Sequence, residues 1–256
     1  MEKKIRTVLV TGGSSGIGKA IVQRLSNEDF DIVFTYNKGK DKAEGLVRSL
    51  ESKHVRAVHW DASVVQSLKK LTEEIPKVDI LINNAGLGSA TVKKASSNPL
   101  EQDELLLKVN AVAPLWLTKA YLPVLKKEGG VVINISSVGG GITQFPGFSF
   151  ADGMSKAALT FFTKQLAAEM AHEPVHVFAV CPGATETPMF SASSLDQLNE
   201  EEKKNRISKL PGRRLINPAE IAEIVYFLTT PDAVVLRGSV LDASLGLGVN
   251  PGLLQK

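Results

Sequence analysis

Three glycines near the amino terminus carry the first sign of chemistry. In Thr11-Gly12-Gly13-Ser14-Ser15-Gly16-Ile17-Gly18, glycines at 12, 16 and 18 permit a tight turn, close approach of backbone N–H groups to a pyrophosphate, and near contact of a helix with a strand. The preceding residues read as a strand and the following ones as a helix, so a bound phosphate would meet the positive end of that helix. Roughly 20 residues further on, a carboxylate would hold a ribose 2′-hydroxyl. Here stand Tyr36-Asn37-Lys38, with Lys40 close by. Donor and cationic groups without a carboxylate suit a 2′-phosphate, favouring NADP(H) over NAD(H); the lysines also read as a solvated loop. A second group lies far along the chain, where Ser136-Ser137 follows an apolar run and Asp152 precedes Lys156 by four residues. That spacing puts both on one face of a helix.

The elements that must position these groups are visible as alternating patterns. β-Branched runs recur at Thr7–Thr11, Asp31–Tyr36, Val55–Trp60, Val78–Asn83, Val131–Ser136, His176–Cys181 and Val234–Asp242. Most are continuously apolar, as strands covered on both faces must be. Helical periodicity is clearest at Gly18–Leu25, Leu105–Leu125, Lys156–Met170 and Pro218–Leu228. Asn217 before Pro218 predicts an N-cap, and Lys127-Glu128-Gly129-Gly130 a helix stop. The alternation implies an α/β fold: a Rossmann-type doubly wound parallel sheet of about seven strands flanked by helices. Residues 1–256 read as a single dinucleotide-binding domain. Residues 189–215, Ser-rich and then charged, read as a lid-like excursion or a plain surface detour.

Composition narrows the class. Of 256 residues, 43% are hydrophobic and 22% charged, which suits a globular chain with a sizeable core. The formal charge of +3 is spread along the chain, so a nucleic-acid partner is not expected. The one cysteine, Cys181, excludes an internal disulfide and supports neither a metal site nor a redox pair. Met1 to Arg6 lacks the apolar stretch of a signal peptide, and no run reaches the roughly 18 apolar residues of a membrane span. A cytoplasmic location is the default expectation.

The Thr11-Gly12-x-x-x-Gly16-Ile17-Gly18 spacing resembles the glycine pattern of the short-chain dehydrogenase/reductase family, with 3-oxoacyl-(acyl-carrier-protein) reductases as the similar members. The remaining motifs follow in order: Asn83-Asn84-Ala85-Gly86, Asn110, Ser136-Ser137, Ser155-Lys156-Ala157-Ala158-Leu159, and Cys181-Pro182-Gly183 with Thr187 beyond. The resemblance implies that Gly12, Ser15, Ile17 and Gly18 surround the pyrophosphate, with Ser14 and Gly16 in the same turn. It places Asp61 and Ala62 beside the adenine and Asn84, Ala85 and Gly86 along the ribose. Tyr36, Asn37, Lys38, Pro182, Gly183, Thr185 and Thr187 are further cofactor contacts. Thr11, Ser14 and Ser15 also read as ordinary turn residues, and Asp61 as a turn former before Ser63.

The resemblance further implies a serine that binds the substrate oxygen and a tyrosine that moves its proton. A lysine four residues beyond the tyrosine lowers its pKa and holds the nicotinamide ribose, and an asparagine supports a water relay. Ser137, Lys156 and Asn110 occupy three of these places, but the tyrosine position holds Asp152. Ser137 to Lys156 is about two residues longer than the family spacing, so counting forward from the serine reaches Phe150. Tyr36, Tyr121 and Tyr226 belong to other elements. Tyrosine titrates near 10 and aspartate near 3.9, and a neighbouring ammonium lowers both. Asp152 is therefore expected to be an anion paired with Lys156, too short to reach a substrate without a water. Natural drift and a deliberate change at position 152 would leave the same pattern.

Three functional readings follow. One is an NADP(H)-dependent reductase of carbonyls, or dehydrogenase of alcohols, in which water, Ser137 or Lys156 handles the proton. Another is altered chemistry, such as enone reduction or proton transfer by Asp152. The third is a dinucleotide-binding protein without turnover. Ile142, Phe145, Phe148, Phe150, Met189 and Phe190 read as an apolar substrate wall or as core. Arg213-Arg214 could bind an acid. The family resemblance implies a homotetramer, although Ser244-Leu245-Gly246 replaces the family's closing glycines. A homodimer through Leu105–Leu125 and Lys156–Met170 is the simpler expectation.

Overall fold

The computed structural model describes residues 5–50 and 52–250. Residues 1–4, part of the stretch on which the signal-peptide reading rests, lie outside them. The strands are β1 (Arg6–Val10), β2 (Phe30–Tyr36), β3 (Val55–His59), β4 (Ile80–Asn83), β5 (Gly130–Ile135), β6 (Val175–Pro182) and β7 (Val240–Ala243). They form one sheet in the order β3-β2-β1-β4-β5-β6-β7, with every pairing parallel. Strands β4 and β5 are buried along their whole length, which explains their unbroken apolar runs. The side-chain period of two sends Val8 and Val10 into one layer of core and Leu9 into the other.

Helices cover both faces: α1 (Gly16–Leu25), α2 (Lys40–Ser49), α3 (Val65–Glu74), α4 (Pro99–Leu107), α5 (Ala113–Glu128), the short α6 (Val138–Gly141), α7 (Phe150–Glu169), α8 (Pro188–Ser194), α9 (Glu200–Ser208) and α10 (Pro218–Leu228). Asn217 caps α10 in a full capping box with Glu220, and Gly129 ends α5 at φ +76°. Sequence periodicity missed α2 and α3, whose buried faces are narrow. It also merged α4, a π-helical turn over Lys108–Val112 and α5 into one helix, and began α7 too late. The run Val234–Asp242 is not one strand: Pro231–Leu236 forms a 3-10 helix, and pairing with β6 begins at Val240. β-Branched residues alone could not reveal that break, because propensity yields to tertiary context. Among the described residues, no helix is long and apolar enough to cross a membrane.

The doubly wound order leaves β1 and β4 adjacent while their chains continue to opposite sides, opening a crevice beyond their carboxyl ends. Beneath it a buried polar ladder joins the sheet to two helices. Asn83 Nδ2 donates to Asn134 Oδ1 (2.8 Å) and Thr118 Oγ1 (3.1 Å), and Asn134 Nδ2 donates to Thr163 Oγ1 (2.9 Å). Asn134 is fully buried. Asn134→Ala strands a buried donor on Asn83, and the expected loss is about 2–3 kcal/mol, read as a lower urea midpoint at unchanged slope.

Candidate active site

The crevice is closed at its base by Thr11. Its Oγ1 accepts from the backbone N–H groups of Asn84 (3.0 Å) and Ala85 (2.9 Å), while Asn84 Nδ2 donates to the carbonyls of Thr11 (2.8 Å) and Gly12 (3.1 Å). Gly12 stands at φ +67°, where a Cβ would lie 2.9 Å from Ala85 Cα. At Gly18 a Cβ would strike the Gly12 carbonyl oxygen, so the first turn of α1 presses directly on the glycine turn. Ser15 precedes α1 without capping it by its side chain. The leading N–H groups of the helix, Gly16, Ile17 and Gly18, therefore gain no side-chain acceptor from Ser15.

Around this turn, Ser14 Oγ would lie 3.6 Å from a Cβ on Gly39, which places the hydroxyl at the start of α2. Asn37 and Lys38 are exposed. Tyr36 meets His59 edge-on at 5.7 Å. Asp61 Oδ1 accepts from the Ser63 backbone (2.9 Å) and hydroxyl (2.7 Å), so the turn-forming reading of Asp61 holds. Burial pushes its pKa up, but the Ser63 bonds, the His59 charge and a bond from Asn37 together hold it below the ordinary value. Ala62 is buried beside it. Across the crevice Pro182 ends β6, and Gly183 packs so tightly that a Cβ would lie 2.9 Å from Ser244 Cα. Thr185 is buried, with its hydroxyl on the Gly183 carbonyl (3.0 Å). Thr187 caps α8 and stands 3.2 Å from where a Cβ on Gly16 would be.

The second group assembles where β5 and α7 meet. Ser136 Oγ donates to the Lys156 carbonyl (2.8 Å), and Ser137 caps α6 through Gly139 N–H (3.2 Å). A Cβ on Gly140 would strike the Gly153 carbonyl, so the glycine run at 139–141 is what lets this turn lie against α7. Asn110 sits in the π-helical turn, a feature that often marks functional positions. Its Oδ1 accepts from Leu87 N–H (2.7 Å), and its Nδ2 donates to the Leu87 carbonyl (2.9 Å) and Ser155 Oγ (3.2 Å). Lys156 Nζ donates to the Ile135 carbonyl (3.3 Å) and would lie 3.6 Å from a Cβ on Gly86. Lys156, Asn110, Gly86 and the end of β5 thus converge. Two contributors escaped the sequence reading: Ser155, whose Oγ also donates to the Asp152 carbonyl (2.7 Å), and Ser89, whose backbone N–H reaches the Asp152 carboxylate. Ser155 carried a signal, since it stands on the helix face of Asp152 and Lys156; a backbone donor such as Ser89 leaves none.

The expected Asp152–Lys156 ion pair does not form. Among the described residues no carboxylate lies within ion-pairing distance of Lys156. Asp152 is 7% exposed, and burial drives its pKa above the ordinary carboxylate value despite the Lys156 charge and the Ser89 bond. Burial likewise lowers Lys156 against the opposing influence of Asp152 and Cys181. Desolvation, which sequence spacing does not report, outweighs attraction here. Burial also raises the Cys181 thiol to about 11. None of the three tyrosines stands in for the missing phenol: Tyr121 is buried with its hydroxyl on the Ile75 carbonyl (2.9 Å), Tyr226 lies under Arg24, and Tyr36 contacts His59. Of the apolar wall, Phe145 and Phe148 pack over Gly139, and Met189 Cγ would be 3.0 Å from a Cβ on Gly88. Phe150 is 90% exposed at the start of α7. Arg214, read as free to bind an acid, instead holds Glu220 through two bonds of 2.6 and 2.7 Å.

Residues 6–198 match the short chain dehydrogenase family model. The chain belongs to the short-chain dehydrogenase family. It is 31% identical over 253 residues to the 3-oxoacyl-(acyl-carrier-protein) reductase FabG of Vibrio cholerae, covering 94% of this chain and 97% of that one. It is 32% identical to the chloroplastic NADPH-dependent aldehyde reductase 1 of Arabidopsis thaliana, covering 96% and 87%. The crystal structure of an actinorhodin polyketide ketoreductase with NADPH superposes with a TM-score of 0.83 at 29% identity, covering 95% and 97%. This family membership makes the chain an oxidoreductase by descent, with reductases as its relatives.

The raised Asp152 pKa has a definite sign. Below about pH 4 the carboxyl is neutral folded or unfolded and carries no penalty; as pH climbs through the folded value, ionising it costs stability. Asp152→Asn keeps an acceptor for Ser89 and removes that cost. Thermal melts from pH 4 to 8 are expected to show no advantage for the variant at the acid end and a growing one towards neutrality. The opposite trend would make Asp152 a stabilising anion.

Proposed function

We propose that this chain binds NADP(H) across the glycine turn and moves hydride between the nicotinamide and a carbonyl or alcohol, with an unusual proton donor. The observation that carries the reading is the uncapped amino terminus of α1 set directly behind a turn whose glycines admit close backbone approach. Unused donors at a helix start fit a pyrophosphate. The residues that would hold the dinucleotide are Gly12 to Gly18 at the phosphates, Asp61 and Ala62 at the adenine, and Asn84, Ala85, Gly86 and Lys156 at the riboses. Thr185 and Thr187 would close the opposite wall. When bound, the nicotinamide supplies or accepts the hydride. Ser137 orients the substrate oxygen. Asp152, kept protonated further up the pH scale by burial, is the proton reservoir, and a water spans the gap its short side chain leaves. Burial thus shifts Asp152 towards the acid form, the opposite direction to the one the Lys156 spacing implied.

Preference for the 2′-phosphate rests on Ser14 at the head of α2, on Lys38 and Lys40, and on the lack of a side-chain cap at Gly39. The exposed stripe Phe150, Met154 and Phe161 on α7 supports pairing with a second copy, as a homodimer or homotetramer. The site suits a small carbonyl or alcohol rather than nucleic acid, and a cytoplasmic setting remains the simplest proposal. A second reading, binding without turnover, draws on the Ser89 backbone N–H, whose influence on the Asp152 carboxyl favours its charged, non-donating form.

Fluorescence titration with NADPH, followed by assay on ketones and enones, separates these readings. Saturable binding is expected, and Asp152→Tyr should raise carbonyl reduction by about 10²–10⁴-fold, the usual worth of a positioned acid. Turnover in the parent that Asp152→Asn abolishes would mark the carboxyl as the donor; binding with no turnover in the parent would favour the silent reading. Placing a carboxylate beside the expected 2′-phosphate, Asn37→Asp, should weaken NADPH by about tenfold or more while sparing NADH. Equal losses for both cofactors would remove the basis for the preference.

A further inference from the structure

We infer that the contact between Arg237 and His176 is an acid-sensitive staple: a proton taken up by His176 ejects Arg237 and frees the strap that leads into the edge strand β7. The staple lies at the amino ends of the strands, opposite the crevice, so it does not depend on the proposed hydride transfer.

Three elements meet at Arg237. Its Nε donates to His176 Nδ1 on β6 (3.1 Å), and its Nη1 donates to the carbonyls of Met170 (3.1 Å) and Ala171 (3.0 Å), where α7 ends. The residue itself joins the 3-10 helix Pro231–Leu236 to the approach of β7. Next on this strap, Gly238 donates its N–H to the Val177 carbonyl (2.8 Å). Gly238 stands at φ +80°, where a Cβ would lie 3.2 Å from Ala167 Cβ, so the turn rests on α7. Strand β7 pairs with β6 alone. Whatever loosens the strap therefore frays the open edge of the sheet.

The direction of the first bond makes it a switch. A guanidinium has donors only, so Nδ1 has to offer a lone pair and the imidazole has to be neutral. Protonation sets N–H against N–H, and cation against cation, at 3.1 Å. Among the described residues, the charges acting on His176 are those of Arg237 and of Arg6 on β1, both positive. Arg6 is anchored through Nη1 on the Thr229 carbonyl (3.0 Å) and lies beside Asp79. From β5, Val131 stands in register with His176, and Glu173, the acid between α7 and β6, is held by Lys126 at 2.6 Å. Burial first, and then the two arginines, lower the His176 pKa, the direction that the hydrogen bond demands. The stapled state keeps the neutral ring, whereas a released ring takes its proton near the ordinary 6.5. The staple is thus fully present above about pH 6.5 and is lost as pH falls below that value.

Amide hydrogen exchange on the full chain, with protection corrected for the intrinsic rate at each pH, tests this. The amides to follow are Gly238 and Ala179, the latter bonded to the Ser239 carbonyl (3.0 Å). From about pH 7.5 to about pH 5, both are expected to lose about ten- to thirtyfold in protection, the span that a release value near 6.5 allows. Amides of β4 and β5 should hold theirs. His176→Asn keeps an acceptor near the place of Nδ1 and cannot take the proton, so its strap should stay protected throughout. The chain has four histidines, and by NMR the His176 ring should titrate below about 6.5 in the parent and higher in Arg237→Gln. Unchanged protection of Gly238 in the parent overturns the proposal, as does a His176→Asn strap that weakens with acid like the parent's. A His176 ring titrating at or above the ordinary value overturns it too. Equal losses in β4 and β5 mark general acid unfolding and do the same. The parent measurements stand whether or not either variant folds.

Discussion

Everything at the crevice depends on how closely two strand ends are held together. Thr11 and Asn84 exchange four hydrogen bonds between the exits of β1 and β4, counting those through Ala85 and Gly12. A parallel sheet whose chains leave in opposite directions would otherwise splay at this point. Stitched there, it presents the glycine turn, the Asn84-Ala85-Gly86 segment and the end of β5 as one rim. Gly12 and Gly18 are required by this closeness, since a side chain at either would meet backbone rather than a flexible neighbour.

A second constraint is the cost of burying charge. Lysine and aspartate four residues apart on a helix would attract if exposed, and along α2 and α3 such spacings do produce contacts between Lys40 and Glu44 and between Lys69 and Glu73. At the start of α7 the same spacing sits under the loop after β4 and against β5. There the loss of hydration exceeds what the pair recovers, and each group moves towards its neutral form. The local rule is unchanged; the medium around it is different.

This contrast explains what was legible in the residues and what was not. The sheet, its parallel sense and the places of the glycine turn, Asn110, Ser137 and Lys156 were readable because they rest on local patterns: apolar runs, punctuating glycines and fixed spacings. Caps such as Asn217 were readable for the same reason. Helix α2 was hidden because Ala43 and Leu46 are its only fully buried apolar residues, too few for a period to emerge. The break before β7 and the upward shift of the Asp152 pKa were hidden because both are decided by neighbours distant in sequence. Arg214 shows the same limit: next to Arg213 it reads as a basic patch, yet Glu220 six residues on had already claimed it.

The buried Cys181 has a wider consequence. Peroxides, disulfides and alkylating agents attack thiolates, not thiols. This sulfur lies behind Ser136 and Lys156 at the floor of the crevice and keeps its proton throughout the neutral range. It is the chain's one cysteine. The thiol is thereby kept in its unreactive form near neutrality, so thiol oxidation and alkylation offer no handle on the crevice through this residue.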